Sequence, residues 1–225
     1  MKEKIDLRQI HERPELAKTT VSLFNEQVTF RPLMINDTKL LNVFLTNLSS
    51  EIRKHWSPHG FDMHAAKIIC AAVATESALR LIAIKQQPVK TRIKFWKKKK
   101  KLIIGYFIFS EGVNNHDVTR YAGYGIGINQ TDWQLAPCVA DDYRGCGLGK
   151  LMMKHLLSIA HRLNVRRILL QGGVIVSNAP AIAFYRKFNF RIAGEYMAGE
   201  GQTRNKYCDM ILKLSDDSLD DTIEV

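Results

Sequence analysis

The chain has 225 residues, 46% of them hydrophobic and 24% charged, a composition that predicts a globular protein with room for a core. No apolar run reaches the about 18 residues that a membrane helix needs, and residues 1–20 lack the apolar centre of an export signal. The four scattered cysteines show no C-x-x-C spacing and the seven histidines form no ligand pattern, so we expect reduced thiols, no metal and a cytoplasmic location.

Apolar periodicity and turn residues divide the chain into an N-terminal extension (1–24, with one short helix at 14–24), a main domain (25–214) and an acidic tail (215–225). This pattern predicts an α/β fold, a mixed sheet with helices on both faces. The predicted elements of the main domain are a strand at 28–32, helices at 37–48 and 63–79, hairpin strands at 80–86 and 102–110, a loop insertion at 111–130 with an optional strand at 124–128, a strand at 133–140, a helix at 147–163, a strand at 166–176, a short helix after Asn178, and strands at 191–197 and 206–214.

A glycine-rich turn, Arg144–Gly149, lies between a predicted strand and a predicted helix. Glycines allow positive φ and close approach of the backbone, and the first N–H groups of a helix point outward at its positive dipole end. The turn therefore predicts a phosphate or pyrophosphate site, with a tight turn that binds nothing as the alternative. It does not fit a Walker loop, because Leu151 occupies the Ser/Thr position, and its glycine spacing differs from the dinucleotide fingerprint.

A second motif, Asn178–Phe190, follows the next predicted strand. Asn178 is a good helix N-cap, and Pro180 falls in the first turn, where its missing N–H has no cost. The helix is expected to end near Asn189, because asparagine tolerates the left-handed conformation past a helix end.

Together the two motifs resemble the GNAT superfamily of N-acetyltransferases, over residues 28–214. The resemblance implies a GNAT-like fold in which acetyl-CoA lies between two splayed strands and reacts directly with an amine. It places Asn178 near the pantetheine arm and makes Tyr185 the acid that protonates the leaving thiolate. Asn189 departs from the glycine that is usual in this family. The residues assigned to acetyl-CoA by the resemblance are Val139, Arg144, Gly145, Cys146, Gly147, Leu148, Gly149, Lys150 and Asn178.

The base that accepts the amine proton is the weakest part of the resemblance. Many relatives use a glutamate on the strand before the glycine turn, and Gln134 occupies that place here. Asp132, two residues earlier and on the same strand face, is the preferred substitute. The alternatives left open are Glu111, His55, His59 and removal of the proton by water.

A basic hairpin spans Lys85–Lys101, with nine basic residues and no acidic one, whereas the rest of the chain is nearly balanced. It predicts a docking surface for an acidic partner such as nucleic acid, an acidic protein or an anionic membrane surface. The alternative is a solvated hairpin whose lysines prevent edge-to-edge pairing.

Two further functions stay open beside N-acetyltransferase. One is an acyl-CoA-sensing module that acts through the basic hairpin, which the glutamine at 134 favours. The other is a nucleic-acid-binding protein whose glycine turn holds a backbone phosphate. The sequence identifies neither the amine acceptor nor the oligomeric state, and a homodimer is among the options.

Overall fold

The computed structural model describes residues 4–23, 25–88, 99–200 and 204–214. Within them the chain forms two compact units, the first from residues 4–108 and 137–159 and the second from 109–136 and 160–214. No described helix is long and apolar enough to cross a membrane. The tip of the basic hairpin (89–98) and the acidic tail lie outside the described residues.

Nine strands occur in the described residues. They are β1 (Thr19–Leu23), β2 (Glu26–Pro32), β3 (Ala78–Pro88), β4 (Lys99–Glu111), β5 (Asp132–Val139), β6 (Arg167–Leu170), β7 (Val174–Ile175), β8 (Arg191–Ala198) and β9 (Asn205–Lys213). The α-helices described alongside them are α1 (Leu7–Glu12), α2 (Thr38–Asn47), α3 (Ser50–His55), α4 (Met63–Ala72), α5 (Asn115–Gly123), α6 (Leu148–Arg162) and α7 (Ala179–Arg186).

In the first unit, β1 pairs antiparallel with β2, and β2 pairs antiparallel with β3. The helix predicted at 14–24 is wrong, because Pro14–Ala17 form a short 3-10 turn and Thr19–Leu23 form β1. The sequence of β1, TTVSL, is rich in β-branched residues, which suit a strand that finds a partner. The predicted boundary at 24/25 therefore falls inside a β-hairpin.

In the second unit, β5 pairs parallel with β6, and β6, β7 and β8 each pair antiparallel with β9. The strand predicted at 166–176 is interrupted, because Gly172 and Gly173 both have positive φ and separate β6 from β7. The mixture of parallel and antiparallel pairs, with helices between the strands, confirms the α/β class with a mixed sheet.

Three predicted loops or helices need correction. The insertion at 111–130 contains α5, capped by Asn114, in place of the optional strand at 124–128. The polar segment after residue 48 contains α3, whose N-cap Ser49 accepts a hydrogen bond from the Ile52 N–H. The helix predicted at 63–79 ends at Ala72, and β3 begins at Ala78.

Close packing at Gly194 positions the ring of Tyr124 against β8, where the Tyr124 hydroxyl donates to Asp209 at 3.1 Å. A methyl group at residue 194 would overlap this ring, so we expect Gly194→Ala to lower the free energy of unfolding by about 1–3 kcal/mol. Urea denaturation measures the change. Gly127→Ala is the matched control, because nothing lies within 4 Å of its added methyl. Equal stabilities of the two variants would contradict this account.

Candidate functional site

The glycine turn joins β5 to α6 in the first unit. After Val139 ends β5, the Ala140 N–H donates to the Ile104 carbonyl at 3.0 Å, and a 3-10 turn follows. Gly145 and Gly147 have φ values of +73° and +88°, which reverse the chain into α6. Because a side chain rarely adopts these values, the two glycines determine where the helix begins.

The first turn of α6 offers hydrogen-bond donors. Its first residue, Leu148, is fully buried and anchors the helix start in the core. Among the described residues, no atom accepts a hydrogen bond from the N–H groups of Gly147, Leu148 and Gly149. Such N–H groups and the helix dipole attract an anion, so this turn has the chemistry of a phosphate site.

Two contacts connect α3 to the glycine turn and to the 3-10 turn that precedes it. The Ser49 hydroxyl and N–H donate to the two Asp141 carboxylate oxygens at 2.5 and 3.0 Å. Burial opposes ionisation of this carboxyl, but the hydrogen bonds from Ser49 prevail and lower the pKa of Asp141. The Arg144 guanidinium lies 3.3 Å from the Glu51 carboxylate, and both side chains are largely exposed. An exposed pair of this kind is weak, so Arg144 is available to another anion.

Three further residues predicted to bind acetyl-CoA, Cys146, Lys150 and Asn178, lie in the turn and helix positions predicted for them. Cys146 donates its thiol proton to the Tyr143 carbonyl at 2.9 Å, and Lys150 is exposed on the first turn of α6. In the second unit, the Asn178 side chain caps α7 by accepting from the Ala181 N–H at 3.2 Å. This confirms Asn178 as an N-cap, whereas its contact with pantetheine stays a prediction.

Tyr185 lies in the second half of α7. Its side chain is buried and its ring packs against Phe190, with ring centres 5.5 Å apart. Asn189 has a φ of +63°, which confirms the predicted left-handed end of the helix. The role of Tyr185 as an acid stays a prediction.

Asp132 is fully buried at the start of β5 in the second unit. Its carboxylate accepts two hydrogen bonds from the Arg167 guanidinium, and the Asn129 N–H donates to it at 2.8 Å. Arg167 also donates to the Gly127 carbonyl at 2.6 Å. Both carboxylate oxygens of Asp132 thus accept a hydrogen bond, an arrangement typical of a structural ion pair.

Gln134 belongs to a buried polar network that the sequence did not predict. Its amide oxygen accepts from the Asn114 N–H at 3.0 Å, and its amide nitrogen donates to Asp117. Arg120 forms ion pairs with Asp117 and with the buried Asp209. The spacing of Asp117 and Arg120 by three residues, and the lone aspartate in the apolar sequence of β9, are the signals that point to such a network.

His59 lies in an aromatic cluster of the first unit, in the segment between α3 and α4. Its ring centre is 5.3 Å from that of Trp56 and 5.8 Å from that of Tyr106, which is on β4. Burial lowers the pKa of His59, and the positive charge of Arg80 adds to this, although a hydrogen bond to the Gly60 carbonyl and the charge of Glu76 oppose the effect. His59 is therefore neutral near pH 7.

The described end of the basic hairpin lies next to the 3-10 turn that precedes the glycine turn. Lys85 of β3 pairs with Glu26, and its ammonium lies 5.4 Å from the centre of the Tyr143 ring. Lys100 and Lys101 are exposed on β4. Residues 89–98 of the docking surface predicted at Lys85–Lys101 lie outside the described residues, so that surface stays a prediction.

Comparison with known proteins identifies relatives. Residues 76–190, about half of the chain, match the model of the acetyltransferase (GNAT) family. A stretch of 63 residues is 38% identical to the 5-NmdU N-acetyltransferase of Pseudomonas phage PaMx11 and covers 28% of this chain. That stretch covers only 41% of the length of the phage enzyme.

Solved structures share the fold. The ribosomal-protein-S5-alanine acetyltransferase from Vibrio fischeri superposes with a TM-score of 0.61 at 12% identity, over 88% of this chain and 98% of its own. Mycobacterium smegmatis RimJ, in complex with CoA-disulfide, gives 0.59 at 14% identity, over 87% and 86% of the two chains. An N-acetyltransferase from Staphylococcus aureus Mu50 gives 0.60 at 13%, over 84% and 99%.

The lowered pKa of His59 predicts a pH dependence of stability. Above about pH 6.5, His59 is neutral in both the folded and the unfolded chain. As the pH falls below that value the unfolded chain binds the proton first, so the free energy of unfolding decreases until the pH reaches the lower pKa of the folded state. Denaturation between pH 5 and 8 should show that His59→Gln removes this component, whereas substitution of the exposed His64 by Gln keeps it. Identical pH profiles of wild type and His59→Gln would contradict the buried, neutral state.

Proposed function

The chain belongs to the acetyltransferase (GNAT) family and is an acyltransferase, and we propose that it transfers the acetyl group of acetyl-CoA directly to a primary amine. The observation that carries this proposal is the glycine turn before α6, which lies inside the matched residues 76–190. Its outward N–H groups and the exposed Arg144 have the charge and geometry to hold the pyrophosphate of acetyl-CoA.

The proposed roles of the turn differ by residue. The N–H groups from Gly145 to Lys150 donate to the pyrophosphate, and Arg144 leaves Glu51 to neutralise its charge. Val139, at the end of β5, offers backbone groups to the pantetheine amides as a neighbouring strand would. Leu148 acts indirectly, because its burial fixes the position of the donors.

We assign the chemical step to direct attack. The nitrogen lone pair of the amine forms the new C–N bond, the C–S bond breaks, and the electron pair stays on the sulfur. Tyr185 supplies the proton that the sulfur takes up, and Asn178 orients the pantetheine arm. The acceptor, which starts as an ammonium ion, loses two protons overall; one balances the proton gained by the sulfur and the other is released to solvent.

For Asp132 we now propose a structural role in place of the base. A base needs a free lone pair, and the oxygens of this buried carboxylate already accept from Arg167 and Asn129. Gln134, whose amide is held by Asp117 and Asn114, has no basic atom near neutral pH. The proton of the amine must therefore leave by another group or by water.

The acceptor is proposed only as a primary amine. The relatives bear names with different acceptors: 5-NmdU for the phage protein, ribosomal-protein alanine for others, and an aminoglycoside acetyltransferase that was solved with coenzyme A and kanamycin. The basic hairpin Lys85–Lys101 adds the proposal that an acidic partner docks beside the acetyltransferase.

Thermal unfolding with acetyl-CoA tests the cofactor, with ATP and NAD as comparison ligands. At 100 times its dissociation constant acetyl-CoA should stabilise the protein by about 2.7 kcal/mol, which raises Tm by several degrees.

We expect Gly145→Ala to weaken acetyl-CoA binding at least about tenfold, because the methyl group blocks close approach to the loop. Gly125→Ala is the control, since both glycines have φ of +73° and open space around the added methyl. A shift equal to that with ATP, or equal loss of affinity in the two variants, would argue against the proposal.

Tyr185→Phe tests the acid. Removal of the phenol should lower kcat by about 10²–10⁴-fold and leave the affinity for acetyl-CoA unchanged, because only the proton donor is lost. Release of the CoA thiol, followed with a panel of primary amines, measures turnover. Tyr207→Phe, on β9, is the comparison variant. Unchanged turnover in Tyr185→Phe would remove this residue from the mechanism, and a wild type that binds acetyl-CoA without turnover would favour an acyl-CoA-sensing module.

A further inference from the structure

Within one short segment of the first unit, two buried polar atoms have no hydrogen-bond partner among the described residues. They are Nε1 of Trp56 and Nε2 of His59. Trp56 is 9% exposed, and the two rings meet edge to face. In native proteins almost every buried polar atom is paired, so two unpaired atoms in one segment indicate a partner outside the described residues.

The two atoms have opposite hydrogen-bonding character. Nδ1 of His59 lies 2.7 Å from the Gly60 carbonyl, which can only accept, so Nδ1 carries the ring proton. Nε2 of the neutral ring therefore presents a lone pair. Nε1 of Trp56 is a donor only. A ligand that satisfies both atoms must offer one donor and one acceptor.

The surroundings of this pair are aromatic and cationic. The His59 ring also approaches Phe61 and Tyr106, with ring centres 6.3 and 5.8 Å away. The Arg80 guanidinium donates to the Tyr106 hydroxyl, and burial raises the pKa of that phenol, so it stays neutral. Glu76, which pairs with Arg80, supplies the charge that opposes Arg80 at His59. The rings around His59 thus suit contact with an apolar or aromatic group, because the charge of Arg80 is balanced by Glu76.

The segment is connected to the glycine turn within the same unit. Tyr106 lies on the same face of β4 as Ile104, about 7 Å along the strand. The Ile104 carbonyl accepts from Ala140, which directly follows β5. The helix before Trp56, α3, is fastened to the turn through Ser49 and Asp141.

We propose that His59 Nε2 accepts the proton of the attacking amine, while Trp56 Nε1 donates to a polar atom of the acceptor and the aromatic rings contact its apolar group. This inference rests on the proposed acetyl transfer and names its acceptor class: a primary amine that carries a nearby hydrogen-bond acceptor and an apolar substituent. The acceptor binds as an ammonium ion and gives one proton to Nε2, which frees the nitrogen lone pair to form the C–N bond. His59 then passes the proton to solvent and returns to its neutral state.

Phenylalaninamide, phenethylamine and spermidine are the probes. The first offers the amine, a carbonyl acceptor and an aromatic ring; the second lacks the carbonyl; the third lacks both. With acetyl-CoA present, thiol release should be fastest with phenylalaninamide. Trp56→Phe should raise KM for phenylalaninamide to that for phenethylamine, because the N–H donor is removed while an aromatic ring is kept. Equal or faster turnover of spermidine, or no turnover of phenylalaninamide, would overturn the acceptor class.

His59→Gln tests the proton acceptor. It should lower kcat about 100-fold or more and remove the fall of kcat/KM that begins at the lowered pKa of folded His59, with acetyl-CoA affinity unchanged. His64→Gln, an exposed histidine five residues away, should behave as wild type. Retained turnover and pH profile in His59→Gln would overturn the inference and leave the proposed function intact. Failure of wild type to bind acetyl-CoA would instead overturn the proposed function.

A direct observation covers the case in which His59→Gln does not fold. In the wild type, the imidazole nitrogen resonances should show Nδ1 protonated and Nε2 unprotonated at pH 7, and phenylalaninamide should shift the Nε2 resonance. An Nε2 resonance that phenylalaninamide leaves unchanged at saturating acetyl-CoA would overturn the inference.

Discussion

The N–H groups at the start of α6 need an acceptor outside the helix. Residues of the first unit fix the position and direction of these groups. Burial of Leu148 fixes where the helix begins, and the positive φ of Gly145 and Gly147 turns the chain so that the N–H groups face outward. Hydrogen bonds between Ser49 and Asp141 tie the turn to α3. The proposed phosphate site is therefore a product of backbone geometry, and side chains adjust its charge.

The second unit depends on a different constraint, the burial of charge around Arg120. Its guanidinium bridges the carboxylates of Asp117 and Asp209, and Gln134, Asn114 and the Gly172 N–H also donate to Asp117. Removal of one partner from such a set leaves an uncompensated buried charge, which is strongly destabilising. The glutamine thus holds the scaffold where many family members have a base. The proposed acid–base chemistry therefore involves residues outside this network, such as His59 in the first unit.

Local signals predicted the elements that bear the chemistry. The glycine turn and the Asn178 cap follow from backbone preferences of single residues, and both occur as expected. Helix α5 was missed because part of its support comes from Asp209, 89 residues away from Arg120 in the chain. The neutral state of His59 was also beyond the sequence, since it depends on burial among residues from separate elements. Tertiary contacts of this kind leave no periodic pattern to read.

In the proposed complex, the N–H groups of the turn from Gly145 to Lys150 bind the pyrophosphate of acetyl-CoA. Amide hydrogen exchange with and without acetyl-CoA tests it most directly, because it reports on those groups themselves. The account predicts that acetyl-CoA slows exchange across residues 144–151 more than elsewhere in α6. Acetyl-CoA binding with unchanged exchange in this segment would contradict it.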